Sequence, residues 1–249
     1  MKGPVKIAAG VYGLGSEIVN WYVVEDGGRL TAVDAGLPKF RETLEADLRT
    51  IGYAPGDVEA VVLTHSDSDH TGVAQPLRDA GARVLIHTAD DDTLRSPGPK
   101  TGEAAPARAL PRVAWRWRFW RVMGHMARGG GGRPPKIEGA ETFADDEVLD
   151  VPGRPRAVHT PGHTDGHCVL LFEGASTLFV GDALCTVDFF TGRLGPQVMP
   201  GPTNVSTVQA RESLAAIEPL DARLLLPGHG EPWHGTPAAA VAQARGVEG

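Results

Sequence analysis

The stretch THSDSDHTG (64–72) places His65, Asp67, Asp69 and His70 within six residues. It follows directly on VEAVVL (58–63), a β-branched apolar run that predicts a buried strand continuing to His65. A turn at the end of such a strand aims several side chains at one point beyond the sheet. Imidazoles together with carboxylates are ligands suited to zinc, manganese or iron. Three later segments repeat the arrangement. TPGHTDGH (160–167) presents His163, FVGDAL (179–184) presents Asp182 and LLLPGHGEP (224–232) presents His229, each just past the carboxyl end of a predicted strand. Loops at that end of the strands form the ligand crevice of α/β proteins.

The surrounding sequence supplies the matching framework. IVNWYVV (18–24) and LTAVDAG (30–36), joined by Glu25-Asp26-Gly27-Gly28, read as a hairpin. Phe40, Leu44, Leu48 and Ile51 recur at helical spacing before the stop at Gly52. A helix is expected through GVAQPLRDAG (72–81), then a strand at RVLIH (83–87). The second half restarts with strand-like runs at 156–160, 168–174 and 177–182. A helix over 206–220 follows, with Ser206 as its N-cap, and then a strand within ARLLLPGHG (222–230). Two βα-rich halves, each supplying one sheet, predict a layered α/β protein.

Taken together, these segments make the chain resemble the metallo-β-lactamase superfamily over nearly its whole length. The hairpin carries the first motif with Asp34 as the structural acid. THSDSDH stands where the family writes H-x-H-x-D-H. His163, Asp182 and His229 match the third to fifth motifs in order. The resemblance implies a four-layer αβ/βα sandwich: two mixed sheets flanked by helices, spanning 1–249 as one domain, with two divalent metals at one edge. It implies that one metal takes His65, residue 67 and His163, that the other takes Asp69, His70 and His229, and that Asp182 bridges them. It further implies a metal-bound hydroxide as nucleophile, with Asp69 orienting it and passing a proton to the leaving group. The reaction expected is hydrolysis of an ester, lactone, thioester or amide in a small molecule.

Position 67 departs from the family pattern, with Asp in place of His. A third ligand carboxylate makes the centre more neutral and harder. Zinc remains the first expectation, with manganese or iron admitted. Two imidazoles and one carboxylate around a metal also suit non-haem iron, so a di-iron oxidoreductase on the same fold is the main alternative. A β-lactamase-like activity is the next alternative, and a binding protein without catalysis is a third. His159 and His167 flank the third motif and are expected beside the ligands. His87 reads as structural, and His125 and His234 show no local role. Cys185 occupies the vicinity where related lactonases carry a Tyr, which weakens a lactonase reading, and it is expected to pack as a small apolar residue like Cys168.

Between the halves lies an insertion, 96–136, in which 13 residues are Gly or Pro and nine are Lys or Arg against one acid, Glu103. It is expected to hold one short helix flanked by loops. Trp115, Trp117, Trp120, Arg116, Arg118 and Arg121 are expected to cover a substrate with an apolar body and an acidic group. A solvated surface or a membrane-surface contact are the competing readings. The whole chain has 249 residues, a net charge of −7 and two cysteines. That balance disfavours nucleic acid as a partner and excludes a disulfide framework. No apolar run is long enough to span a membrane and no signal peptide is evident, so a cytoplasmic location is expected.

Overall fold

A computed structural model describes residues 2–132 and 135–247. The first sheet contains β1 (Lys2–Ala8), β2 (Val11–Gly15), β3 (Asn20–Asp26), β4 (Arg29–Val33), β5 (Val58–Val62), β6 (Arg83–His87) and β7 (Glu141–Phe143), hydrogen-bonded in that order. Its first four strands are antiparallel meanders and its last four run parallel. In the second half come β8 (Arg156–His159), β9 (Cys168–Phe172) and β10 (Thr177–Gly181), then a separate hairpin of β11 (Cys185–Val187) and β12 (Leu194–Gln197). With β13 (Leu224–Pro227) and β14 (Trp233–His234) they complete a second sheet, ordered β14-β13-β10-β9-β8.

Strand alternation builds three apolar layers from two sheets, because successive side chains point to opposite faces. In β3, Tyr22 and Val24 face the second sheet while Val23 faces the helices. In β13, Leu224 and Leu226 face the first sheet while Leu225 faces away. Between the sheets, Val33, Val62, Leu170 and Phe179 form the central layer. The outer layers are closed by α1 (Leu44–Thr50) and α2 (Ala74–Asp79) on one side, through Leu44, Leu48 and Leu77. On the other side Leu214, Ile217, Ala240 and Val241 cover the second sheet. Those residues come from α7 (Leu214–Ile217) and α8 (Pro237–Arg245), introduced after α3 (Asp91–Arg95), α4 (Pro106–Val113), α5 (Trp117–Arg128) and α6 (Thr207–Glu212). The result is the αβ/βα sandwich.

Several local readings differ in detail. The helix expected over 206–220 is divided at Ser213 into α6 and α7, although Ser206 caps it by accepting from the Gln209 amide. The helical stripe from Phe40 begins as a 3₁₀ turn, Pro38–Glu42, before α1. The 96–136 insertion holds two helices, α4 and α5, where one was expected. The hairpin of β1 and β2, the short strand β7 and the helix α8 had no strong periodic signal in the sequence.

Gly72 closes the turn that carries the ligands. Its amide donates to the Gly36 carbonyl at 2.8 Å, and a Cβ there would lie 2.1 Å from the Leu37 carbonyl carbon. Gly72→Ala is therefore expected to destabilise the protein by about 3 kcal/mol or more. Gly174→Ala, at an exposed site with nothing within 4 Å, is expected to change stability by less than about 0.5 kcal/mol. Urea denaturation midpoints of the two variants test the difference.

Candidate metal centre

All the loops that carry candidate ligands leave the carboxyl ends of strands on one edge of the sandwich. Asp34 follows β4, and His65 to His70 follow β5. His163 follows β8, Asp182 follows β10 and His229 follows β13. Cross-sheet bonds hold the two halves of this edge together. The Cys168 amide donates to the Thr64 carbonyl, the Asn20 amide donates to the Gly228 carbonyl, and the Tyr22 hydroxyl donates to the Pro227 carbonyl.

The four imidazoles of the centre share one arrangement. The His70 Nδ1 donates to Asp34 Oδ2 at 2.8 Å, His163 Nδ1 to Asn204 Oδ1 at 3.0 Å and His229 Nδ1 to the Ile18 carbonyl at 2.6 Å. His65 Nδ1 donates to the Thr64 hydroxyl at 3.0 Å, which in turn donates to Asp34. With every Nδ1 committed to an acceptor, Nε2 is in every ring the nitrogen turned to the same point and left to bind a cation. Asp34 also accepts the Thr64 amide and adopts a left-handed φ of 60°, so its carboxylate is over-determined by its neighbours.

The ligand atoms are spaced for cations. His65 Nε2 lies 3.6 Å from Asp67 Oδ2, and His163 Nε2 lies 3.0 Å from it. His229 Nε2 lies 3.6 Å from Asp69 Oδ2, and His70 Nε2 lies 3.9 Å from the same atom. Asp182 sits between the groups, with Oδ1 3.5 Å from His70 Nε2 and Oδ2 3.2 Å from His229 Nε2 and 3.3 Å from His163 Nε2. Ligands around a tetrahedral ion with bonds near 2.1 Å are separated by about 3.4 Å. Among the described residues, His65 Nε2, His70 Nε2 and Asp182 Oδ1 are buried without hydrogen-bond partners. Such orphaned atoms converging on one point fit a cation. Gly228 keeps that point open, because a Cβ on it would lie 2.4 Å from Asp182 Oδ1.

The electrostatics agree with that fit. Burial pulls the His70 imidazole down, but Asp182 and Asp34 outweigh it and push it up to about 10. At His229 burial is again overcome, chiefly by Asp182, and the imidazole rises to about 9. Burial alone would raise Asp182, yet His229, His70 and His163 hold it well below the usual carboxylate range. Asp67 is held down in the same way, against burial, by Lys100 first and then His163 and His65. The carboxylates thus stay ionised, and a cation entering the centre displaces protons from His70 and His229.

A family model described as the metallo-beta-lactamase superfamily matches residues 14–229. The chain belongs to the metallo-β-lactamase superfamily. It is an enzyme of that superfamily, built around a metal-binding centre. It is 27% identical over 241 residues to the probable metallo-hydrolase YqjP of Bacillus subtilis, covering 89% of this chain and 69% of that one. It is 26% identical to the probable metallo-hydrolase YflN of the same organism, covering 92% and 86% of the two chains. A solved metallo-beta-lactamase family protein from Thermus thermophilus superposes with a TM-score of 0.69 at 26% identity, over 96% of this chain and 79% of that one.

The flanking histidines are placed differently from one another. His167 accepts the Asp182 amide on Nε2 and donates from Nδ1 to the Thr160 hydroxyl, so it steadies the Asp182 loop from behind. His159 bonds outside the centre. Its Nε2 donates to the Asp165 carbonyl, and it stacks on His87 at 4.3 Å, with Asp145 bonded to both rings. His125 pairs with the Ser16 hydroxyl, and Cys168 and Cys185 are buried free thiols that burial pushes up.

A cavity of about 220 Å³ opens over the centre. Its floor includes Asp67, Asp69, His163, Asp182 and His229, and its walls include Val122, Met123 and Met126 of α5 with Phe189, Phe190 and Met199. The aromatic and basic residues expected there lie elsewhere. Trp115, Trp117 and Trp120 are 72%, 65% and 60% exposed. Arg116 stacks on Trp115, Arg118 on Trp117, and Arg121 faces Glu17. The reason is helical phase. WRWRF (115–119) alternates in sequence, but α5 begins within it at Trp117, and from there a period of 3.6 turns Phe119, Val122 and Met126 inward and Trp117, Trp120 and Arg121 outward. Arg116 instead borders an adjoining cavity, which shares Phe190, Met199, Pro200 and Pro202 with the first. Arg133, counted in the basic segment, lies outside the described residues.

Two residues with no distinctive sequence signal are central to the site. Asn204, fully buried, fixes His163 and is itself held by its amide donating to the Met199 carbonyl. Asp90, also buried, accepts from the Ser66 amide, the Gly166 amide and the Thr164 hydroxyl, tying the second motif to the third. In the sequence it is one of three consecutive aspartates, and nothing local distinguishes it. Asp90→Ala leaves three buried donors without an acceptor and is expected to cost about 2–4 kcal/mol. Asp90→Asn restores only part of this, because its NH₂ faces donors. Denaturant titration of both variants checks the order.

Proposed function

We propose that this chain is a metal-dependent hydrolase of an ester, lactone, thioester or amide carbonyl in a small molecule. The observation that carries the reading is the convergence of four Nε2 atoms with Asp67, Asp69 and Asp182 at the floor of an apolar cavity. The donor set offers two cation positions. His65, Asp67 and His163 surround the first, Asp69, His70 and His229 the second, and Asp182 reaches both. Nitrogen and oxygen donors in this mixture favour zinc, with manganese or iron admitted by the third carboxylate. A divalent ion held there supplies Lewis acidity, lowering the pKa of water and polarising a carbonyl.

The chain's own residues supply the rest. Asp69 faces the cavity and is the group placed to take a proton from the attacking water and return it to the leaving group. Val122, Met123, Met126 and Phe189 exclude water and hold an apolar substrate body. The adjoining cavity, lined by Arg112, Arg116, Arg193 and Arg211, suits an acidic group at the far end of the same substrate. Small molecules rather than nucleic acids fit a space of this size and lining. Among the described residues no helix is long and apolar enough to cross a membrane.

Metal analysis of the purified protein and a panel of ester, thioester, lactone and β-lactam substrates test the proposal. Chelation is expected to abolish turnover and divalent metal to restore it. Asp182→Ala or Asp69→Ala is expected to lower kcat/KM about 100-fold or more. Turnover indifferent to chelation and to both substitutions overturns the hydrolytic reading. Iron with redox-active absorbance and no hydrolysis replaces it with the di-iron reading that the His65–Asp67–His163 triad admits.

A further inference from the structure

Lys100 reaches from the Pro/Gly-rich start of the insertion into the centre. Its Nζ lies 2.5 Å from Asp67 Oδ2, 3.2 Å from His163 Nε2 and 2.9 Å from the Thr203 carbonyl. An ammonium has three N–H donors and no acceptor, so these three acceptors satisfy it completely. His163 Nε2 is free to accept because its Nδ1 proton is committed to Asn204. The side chain is 27% exposed, and Asp67 beside it is 19% exposed, so the pair lies largely out of water, where charge interactions are poorly screened.

The lone pairs that Lys100 occupies are those a metal needs at the first position. The single Nε2 lone pair of His163 cannot serve both at once, and an ammonium against Asp67 Oδ2 repels a cation approaching the same oxygen. At that position His65 Nε2 has no partner, whereas His163 Nε2 and Asp67 Oδ2 are bonded to Lys100, and a metal must break those two bonds to use these atoms. The second position, Asp69, His70 and His229, has no such competitor among the described residues. Charge points the same way. Three carboxylates, Asp67, Asp69 and Asp182, face the centre, and with neutral imidazoles and before any hydroxide is bound, one divalent ion with one ammonium balances them. A second divalent ion beside the retained ammonium leaves an uncompensated double positive charge in a confined cavity.

We propose that the Lys100 ammonium is the built-in cation of the first position, so that the protein holds one divalent ion tightly, at Asp69, His70, His229 and Asp182. This rests on the reading of the centre as a metal site. It also gives Asp67 a role: the carboxylate that replaces the family's usual imidazole is the partner an ammonium requires and an imidazole would not supply as a charge.

Titration of the chelator-stripped protein with Zn²⁺, by calorimetry and by metal analysis after dialysis, tests the inference without reference to activity. The wild type is expected to take one tight equivalent, any second binding at least about tenfold more weakly. Lys100→Met and Lys100→Gln are expected to take two equivalents, the weaker one tightened by about tenfold or more. Two equivalents of equal affinity in the wild type, unchanged in both variants, overturn the role of Lys100 and leave the metal centre standing. No tight equivalent in the wild type or in either variant overturns both.

Discussion

Four imidazoles are turned inward by hydrogen bonds on their far nitrogens, and the chemistry of this protein depends on that constraint. A neutral imidazole presents its Nε2 lone pair only when Nδ1 holds the proton. Asp34, Thr64, Asn204 and the Ile18 carbonyl each keep that proton in place. These anchors come from both halves of the chain, so the alignment of the centre is a property of the sandwich as a whole. The central apolar layer, with Tyr22, Val62, Leu170 and Phe179, sets the relative position of the sheets. The amide and hydroxyl bonds that cross the sheet edge then set the positions of the loops.

The insertion contributes in a way that its composition conceals. Its basic and aromatic residues largely face solvent, while its less conspicuous Val122, Met123 and Met126 wall the cavity. A helix buries one stripe, and the identity of that stripe is set by where the helix starts. Trp120 donates its indole N–H to the Ala114 carbonyl and Trp115 donates to the Arg112 carbonyl, so these rings brace the junction between α4 and α5. The segment thus brings an apolar wall and one ammonium to the centre while leaving most of its charge in water.

Legibility followed the range of each interaction. His65, Asp69 and His70 were readable because they stand together in one turn after an apolar strand. His163, Asp182 and His229 were readable because each repeats that context. Asp90, Asn204 and Lys100 act on residues 24 to 103 positions away, and their neighbours in sequence carry no trace of that use. Asp90 opens a helix in a run of aspartates, and Lys100 counts as one of many cations in the insertion. His159 and His167 illustrate the same limit. Both flank the third motif, yet only His167 lies behind the Asp182 loop, while His159 ends the edge strand β8 and turns toward His87.

Alternation of apolar residues, β-branched runs ending in Gly or Asp turns, and the spacing of His and Asp determined the layered fold and the set of residues at its edge. These are signals of local conformation and burial, and local forces carry them. Which partner fixes each imidazole, which face of α5 meets the cavity and which cation lies against Asp67 were decided only in the tertiary structure. Each of these depends on the packing of distant strands, whose relative placement follows from the burial of whole faces and not from any residue's immediate neighbours.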